Sequence, residues 1–334
     1  MTHVSHASCS HAGISGSKDV YHPLGTDRKA NRDLAMSVIF LLLMMVGILG
    51  NFSFLCHYLF LHLTECRARS TDLILKHVIV ANLLVITSKG IPQMMTDLDV
   101  KYSLSDFECK LVFYVHKGGR DVAIGTICLL TAFQVVMISP MDSRWAGLKV
   151  KSLKYMGTSN ILCWVLHMML NIIMLFVTTS KRSNTNTTRK RDHGYCYSIT
   201  SGYIAELLYI AAVLFHDGFY LGLTIWASGS MVFILHRHKQ RVQHILRNNP
   251  SARSSPETRA TKSILVLVST FVFLWALSTF LQICLVVYNN PSLWLNNTSM
   301  LITVCFPAVS PYILMSYDSR LSTLCFPWKG TRIT

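Results

Sequence analysis

The sequence LAMSVIFLLLMMVGILGNFSFLCHYLFL, residues Leu34 to Leu61, is a continuous apolar stretch without any Asp, Glu, Lys or Arg. A bilayer core requires about 20 apolar residues for one helical crossing, so this segment is long enough to span a membrane. In hydrocarbon the backbone must satisfy its own hydrogen bonds, and a segment of this length does so as an α-helix. The stretch therefore predicts a transmembrane helix.

Six further apolar stretches follow, and polar, charged segments separate them. They are Leu73 to Met95, Leu111 to Ile138, Tyr155 to Thr179, Tyr203 to Leu235, Ile264 to Tyr288 and Ser299 to Ser316. Charged residues make up 14% of the chain, against about 25% in soluble domains. The sequence thus predicts an all-α membrane protein, a seven-transmembrane helix bundle over residues 34–317, with tails at 1–33 and 318–334 and no soluble domain.

The distribution of positive charge predicts the orientation of the bundle. The loops after spans one, three and five and the C-terminal tail together hold more Lys and Arg than the segments on the other side. Positively charged loops stay in the cytoplasm, so we expect an extracellular N-terminus, a cytoplasmic C-terminus and a multi-pass protein of the plasma membrane. The polar N-terminal segment has no signal-peptide pattern, so the first span should itself direct insertion.

Two N-x-S/T patterns lie between spans on the side predicted to be extracellular. The first is Asn186-Thr187-Thr188, and the second, Asn296-Asn297-Thr298-Ser299, offers two acceptors, Asn296 and Asn297. Glycosylation requires a lumenal loop. The same pattern arises by chance at Asn51 inside span one, so the loop patterns are either glycosylation sites or coincidences.

Two cysteines are predicted to lie together on the outer face. Cys109 opens span three and Cys196 lies in the loop before span five. The outer face is oxidising during synthesis, which favours a disulfide, although spacing alone leaves the pairing open. Most other cysteines lie inside spans, where a small apolar packing role is expected.

Charged side chains inside the spans predict a binding pocket. An ionisable group at mid-membrane costs about 2.5 to 3.5 kcal/mol on insertion scales and must face protein or water. Lys117, Arg120 and Asp121 share one helical face, and Arg120 lies about 16 Å below Cys109 at 1.5 Å per residue. The predicted ligand-binding residues are His116, Lys117, Arg120, Asp121, Lys89, Glu206 and Asp217, with His216 beside the last. The alternative is an internal ion-pair network, in which Lys117 and Asp121 simply pair at i, i+4.

Glycines inside the spans predict close helix packing. Small residues let membrane helices approach one another, and Gly125, Gly222 and Gly229 are expected to serve this purpose.

Several uninterrupted sequence blocks resemble vomeronasal type-1 receptors. They are Thr71–His77, Ser88–Gln93, Cys109–Tyr114, Trp226–Phe233, His236–His244, Ser254–Glu257 and Arg259–Thr261. The resemblance runs in the expected order from about Gly47 to Ser316. It implies a rhodopsin-like G-protein-coupled receptor that binds a pheromone or odorant from the outer side and activates an inhibitory-type heterotrimeric G protein. It also implies a Cys109–Cys196 disulfide and glycosylation at Asn186.

The chain departs from the wider rhodopsin-like pattern at three places. Ala132-Phe133-Gln134 stands where many such receptors have an acid-Arg-aromatic triplet before Pro140. Asn82 matches the usual acid of span two, and Ser310-Pro311 matches the usual Asn-Pro of span seven. Activation residues of the wider pattern therefore cannot be transferred to this chain.

The basic segment His236–Arg247 continues span five towards the cytoplasm. Val242, Ile245 and Leu246 form an apolar stripe beside Arg241, and these four residues are the predicted G-protein contact. The alternative is a basic face attracted to anionic membrane lipid, and both can hold. Cys325, past the last span, is either palmitoylated or a free thiol.

Motifs of other functional classes are missing from the sequence. There is no His-Glu-x-x-His helix, phosphate-binding glycine loop or Gly-x-Ser-x-Gly elbow, so we predict no enzyme activity, no cofactor and no nucleic-acid partner. The tail residues His3, His6, Cys9 and His11 are metal-capable, but we predict no metal site. The alternatives are a bitter-taste-type receptor and a transporter, although internal repeats are missing. A monomer and a homo- or hetero-oligomer are both compatible with the sequence.

Overall fold

The computed structural model describes residues 24–64, 70–97, 104–139, 143–180, 190–192, 195–199, 202–245, 256–288 and 292–317. Its helices are α1 (Leu24–Thr64), α2 (Ser70–Asp97), α3 (Asp106–Ile138), α4 (Ser143–Leu170), the short α5 (Met174–Val177), α6 (Tyr203–Ile245), α7 (Pro256–Val287) and α8 (Leu293–Tyr317). A 3₁₀ turn at Asn171–Ile173 joins α4 to α5. Three short strands, β1 (Thr178–Ser180), β2 (Lys190–Asp192) and β3 (Cys196–Ile199), precede α6.

Seven helical segments of the described residues are long and apolar enough to cross a membrane. The predicted seven-transmembrane bundle is therefore confirmed. The fourth segment, Ala146–Val177, includes α4, the 3₁₀ turn and α5.

Several predicted bounds differ from the helices. Helix α1 begins at Leu24, ahead of its apolar segment, which starts at Leu34 as predicted. Helix α4 begins at Ser143 rather than near Tyr155, because its lysines interrupt the apolar run without interrupting the helix. Helix α8 begins at Leu293, so the expectation that Asn296 and Asn297 lie in a loop is wrong.

Helix α3 forms the centre of the bundle and packs against α2, α4, α6 and α7. Every residue from Gly118 to Ile127 is buried, so this stretch has no face towards lipid. By contrast, α6 leaves large apolar side chains such as Phe215 and Trp226 exposed. Because a lipid-facing surface must be apolar, the charges of α3 are tolerated only in the bundle interior.

A polar junction ties α1, α2 and α8 together. The side-chain amide of Asn51 donates to the carbonyl of Pro307 (2.7 Å), and that of Asn82 donates to Ser310 Oγ (2.9 Å) and to Asn51 Oδ1 (3.3 Å). The side chains of Asn51, Asn82 and Ser310 are buried. A hydrogen bond between membrane helices contributes about 0.6 kcal/mol to stability on average. We therefore expect the Asn51, Asn82 and Ser310 contacts to fix the relative positions of the helices more than to stabilise the fold.

The outer end of the bundle carries the small antiparallel sheet, with strand order β1-β3-β2. A disulfide joins Cys109 of α3 to Cys196 of β3, with the two Cα atoms 6.0 Å apart, as predicted. Asp106, in the first turn of α3, accepts hydrogen bonds from Thr179 Oγ1 (2.8 Å) and the Ser180 amide (3.2 Å). The sheet is thereby attached to the outer end of α3 by a covalent bond and by hydrogen bonds.

Only one of the three singled-out glycines lies at a close helix contact. A Cβ added at Gly125 would come within 2.5 Å of His167 Nε2 and 2.6 Å of Cys163 Sγ on α4. Added at Gly222 or Gly229, it would meet no described atom within 4 Å, so the prediction is wrong for these two. Both lie on α6, which is exposed over much of its length.

We expect Gly125→Ala to lower the surface expression of the protein several-fold, because the new methyl group displaces His167 and Cys163 from a buried contact. Overpacking of this kind costs about 1 to 3 kcal/mol. Quantitative surface labelling measures the effect, with Gly229→Ala as the matched control. Equal surface expression of the two variants would show that the contact is not close.

Candidate functional site

A buried polar junction joins α3, α6 and α7. Arg120 Nη2 lies 3.2 Å from Asp217 Oδ2 and donates to Thr279 Oγ1 at 2.8 Å. Thr279 Oγ1 in turn donates to Asp217 Oδ2 at 2.6 Å. The Arg120 and Asp217 side chains are 3% and 2% exposed. We refer to these three residues as the Arg120 junction.

An aromatic ring and a small cavity complete the surroundings of Arg120. The guanidinium carbon lies 4.4 Å from the ring centroid of Trp275 on α7, a cation–π contact. A cavity of about 20 Å³ lies beside both residues and is also lined by Asn82, Ser278 and Thr303. A space of this size holds about one water molecule. An odorant does not fit it without a movement of the helices.

A second ion pair lies beside the first on the same face of α3. Lys117 Nζ is 2.9 Å from Asp121 Oδ1, while the side-chain amide of Asn171 donates to Asp121 Oδ2, also at 2.9 Å. The alternative raised by the sequence, that Lys117 and Asp121 pair at i, i+4, is therefore present. This pairing is compatible with a ligand-binding site, because both residues lie beside the Arg120 junction on α3.

The remaining predicted ligand residues form no hydrogen bond or ion pair with the Arg120 junction among the contacts of the described residues. His116 is half-buried on α3 and lies within electrostatic range of Lys89, Lys117 and Arg120. Lys89 is half-buried on α2. Glu206 lies in the first turn of α6, about 16 Å along the helix axis from Asp217, so it is not part of the junction.

The charges of the two ion pairs are balanced. Arg120 and Lys117 face Asp217 and Asp121, so each buried cation has a carboxylate within hydrogen-bonding distance. A buried ion pair is tolerated when further hydrogen bonds satisfy its remaining atoms, and Thr279 and Asn171 supply such bonds. Arg120 Nη1 is the exception, because it is buried without a partner among the described residues.

Sequence reasoning missed four residues of the site. Thr279, Trp275 and Asn171 are common residue types within helices, and nothing in their spacing distinguishes them. His167 on α4 is different, because it is an ionisable residue inside a span and fully buried. That property alone marks a functional candidate in a membrane helix.

The other predicted sites are only partly within the described residues. Asn186, Leu246, Cys325 and the cysteine and histidines of the N-terminal tail lie outside them, as do the side chains of Arg241, Val242 and Ile245, whose backbone belongs to the end of α6. Asn296 and Asn297 lie in the first turn of α8 and are half-buried. Their glycosylation stays a prediction.

Residues 34–327 match the model of the vomeronasal organ pheromone receptor family. The chain belongs to this family. Human vomeronasal type-1 receptor 4 is 51% identical over 300 residues, which cover 90% of this chain and 99% of that relative. Human vomeronasal type-1 receptor 1 is 41% identical over 307 residues, covering 91% of this chain and 86% of that relative. The more distant zebrafish olfactory receptor class A-like protein 1 is 26% identical over 285 residues, covering 85% of this chain and 89% of that relative.

Membership in the vomeronasal pheromone receptor family, together with the seven membrane-spanning helices, makes the chain a chemosensory G-protein-coupled receptor of the pheromone-receptor class. It is a multi-pass membrane protein whose partners are a ligand and a G protein. The resemblance noted in the sequence is confirmed, and the bitter-taste-type alternative is excluded.

Proposed function

We propose that this receptor binds a small pheromone or odorant from the outer side and that the ligand acts on the Arg120 junction. The receptor lies in the plasma membrane with its N-terminus outside, signals through an inhibitory-type heterotrimeric G protein, and has no enzyme activity. The observation that carries the proposal is the buried Arg120–Asp217–Thr279 contact, because it joins three helices at one point below the outer sheet.

The small size of the cavity beside Arg120 defines what ligand binding must do. Its volume of about 20 Å³ is far below that of an odorant, so a ligand must separate the helices that line it, α2, α3, α7 and α8, to enter. A polar group of the ligand that bonds to Arg120 or Asp217 replaces part of the existing ion pair. The ligand then stabilises an open arrangement that is rare without it, which is the thermodynamic requirement for activation.

A chain of aromatic contacts leads from the junction towards the other end of the bundle. Trp275 contacts Arg120 and lies 5.0 Å, between ring centroids, from Phe271. Phe271 in turn lies 4.7 Å from Phe306 of α8 in an edge-on contact. Because these rings are tightly packed, a shift of Trp275 must be accommodated by α7 and α8.

The response on the cytoplasmic side involves the end of α6. This helix extends without interruption from Tyr203, at the outer sheet, to Ile245. Asp217 of the Arg120 junction and Arg241, Val242 and Ile245 of the predicted G-protein contact are therefore on one helix. A rotation of α6 at the junction changes the surface that this helix presents to a G protein.

A ligand screen followed by one matched pair of variants tests the proposal. The wild-type receptor is expressed with an inhibitory-type G protein, and agonists are identified by inhibition of cyclic AMP synthesis. We expect Lys117→Gln to raise the agonist EC50 by at least about tenfold, equivalent to about 1.4 kcal/mol, because Lys117 borders the junction and its partner Asp121 loses its cation.

Lys110→Gln is the control, because Lys110 forms the same type of i, i+4 pair with Asp106, but on the exposed outer end of α3. Its EC50 should remain within about twofold of wild type, as is typical of exposed pairs. If the two variants shift the EC50 equally at equal surface expression, the ligand does not reach the junction.

A further inference from the structure

Three metal-ligating side chains from three different helices converge in the bundle interior. Asp121 of α3, His167 of α4 and His216 of α6 each offer one ligand atom, and these atoms all lie within 4.8 Å of one another. Asp121 and His167 are buried, and His216 is half-buried. We refer to these residues as the Asp121 cluster. Asp217 contacts both His216 and Arg120, and no step of the proposed receptor mechanism uses the histidines of the cluster.

His167 lacks the partners that a buried imidazole requires. Its exposure is 0%, and neither ring nitrogen forms a hydrogen bond with a described residue. A neutral imidazole has one N–H donor and one acceptor nitrogen, and leaving such groups buried without a partner is unfavourable. A bound ion that accepts the lone pair of a ring nitrogen removes part of this cost.

His216 is held in the orientation that a metal-binding histidine adopts. Its Nδ1 lies 3.0 Å from Asp217 Oδ1, and because a carboxylate only accepts, Nδ1 carries the proton. In the neutral imidazole the lone pair is then on Nε2, which is buried and without a hydrogen-bond partner among the described residues. Metal-binding histidines commonly donate their second nitrogen to a carboxylate in this way, which fixes the tautomer and raises ligand basicity.

The carboxylate of Asp121 retains room for a further partner. Oδ1 accepts from Lys117 and Oδ2 from Asn171, so each oxygen is engaged once. An ionised carboxylate offers about four lone-pair positions, so one oxygen can also ligate an ion. The Asp121 cluster therefore supplies two imidazole nitrogens and one carboxylate oxygen.

We propose that the Asp121 cluster binds a divalent transition-metal ion such as Zn²⁺. Three protein ligands with a fourth position open to water or a ligand is the arrangement of zinc sites that remain accessible for chemistry or binding. With metal–ligand bonds of about 2.0 to 2.1 Å, tetrahedral ligand atoms are about 3.4 Å apart, so small side-chain rotations close the present cluster around an ion.

Charge determines what occupies the open position. Asp121 and Asp217 offset Lys117 and Arg120, so a divalent ion adds an excess of positive charge to the bundle interior. A hydroxide, thiolate or carboxylate as fourth ligand reduces this excess. The ion is also coupled to the Arg120 junction through Asp217, which orients His216 and pairs with Arg120.

Cobalt(II) binding to the purified full-length receptor tests the site without any agonist or G protein. Co²⁺ replaces Zn²⁺ and gives visible absorption bands whose intensity reports tetrahedral coordination. The background carries alanine at His3, His6, Cys9 and His11, so that the metal-capable tail does not contribute. We expect one equivalent of Co²⁺ with tetrahedral bands that Zn²⁺ abolishes, and loss of these bands in His167→Gln and His216→Gln.

Two further variants separate a metal site from a structural role. The folded fraction of Asp217→Asn should bind Co²⁺ about 10- to 100-fold more weakly than the background protein without losing a ligand, as expected for the residue that orients His216. His57→Gln is the control, because His57 is also a half-buried membrane-helix histidine with an unpartnered ring nitrogen among the described residues, but lies outside the cluster. Its bands should equal those of the background protein.

Thermal unfolding keeps the test decisive if His167→Gln does not fold. Zn²⁺ should raise the Tm of the background protein and of His57→Gln, but not that of His216→Gln, because only ligands that bind the folded state stabilise it. Equal stabilisation of His216→Gln, or identical Co²⁺ bands in all variants, would overturn the proposal.

Because no signalling is measured, failure here leaves the proposed receptor function intact, and failure of the agonist test leaves the metal site intact.

Discussion

Replacement of Asp217 by alanine is expected to prevent most of the receptor from reaching the cell surface. The substitution leaves the guanidinium of Arg120, 3% exposed, without its carboxylate partner. Breaking a buried ion pair by removing one partner costs about 3 to 5 kcal/mol, a large part of the roughly 5 to 15 kcal/mol that stabilises a typical protein. Arg120→Ala should have a similar effect, because the Asp217 carboxylate is then left buried.

The double variant Arg120→Ala, Asp217→Ala should be more stable than either single variant, because it leaves no unpaired charge in the junction. Two measurements compare the three variants with wild type: the Tm of the purified receptor and the fraction of receptor at the cell surface. Lys110→Ala is the control for a partly exposed ion pair and should change little. A double variant whose destabilisation equals the sum of the single effects would show that the two residues do not interact.

Loss of the disulfide is the second large expected effect. Cys196→Ser removes the disulfide cross-link between β3 and α3, which spans a sequence separation of 87 residues. A disulfide typically contributes about 2 to 4 kcal/mol to stability. We expect surface expression to fall at least about fivefold and to fall equally in Cys109→Ser, because both variants lack the same bond.

Cys56→Ser is the matched control, because Cys56 is an exposed free cysteine of α1. Its surface expression should remain near that of wild type. Single cysteine variants that fold and respond as wild type would mean that Asp106 and its hydrogen bonds to β1 hold the outer sheet without the disulfide.

The fold could be predicted from the sequence because the bilayer imposes a length and a composition on each span. The apolar stretch that starts at Leu34 needs no tertiary contact to identify it. Helix ends were harder to predict, because the start of α4 at Ser143 and of α8 at Leu293 depends on backbone hydrogen bonding and not on hydropathy. The basic residues near the start of α4 and the asparagines near the start of α8 are compatible with both a loop and a helix.

The candidate ligand-binding site was partly predictable, because the membrane also restricts where charged side chains can lie. Arg120, Lys117, Asp121 and Asp217 are expensive inside a membrane, so their presence alone marks the bundle interior. Which cation meets which anion was not predictable, because the Arg120–Asp217 contact joins residues 97 positions apart. Thr279 was missed because a hydroxyl in a span has no such cost, and the same holds for the indole of Trp275.

The Asp121 cluster could not be predicted from the sequence for the same reason, because its residues are distant along the chain. A zinc motif on one helix is visible as a sequence spacing, whereas Asp121, His167 and His216 come from three helices and share no spacing. Gly125 indicates the approach of α3 and α4 that brings His167 inward, but only the three-dimensional packing distinguishes it from Gly222.

The agonist response of the Arg120→Ala, Asp217→Ala double variant tests most directly the claim that the ligand acts on the Arg120 junction. This variant lacks the ion pair without leaving an unpaired charge in the Arg120 junction, so its surface expression can be matched to wild type by adjusting the amount of DNA transfected. We predict that the agonist EC50 rises at least about 100-fold, equivalent to about 2.7 kcal/mol, or that the response is lost. A wild-type dose response at equal surface expression would contradict the account.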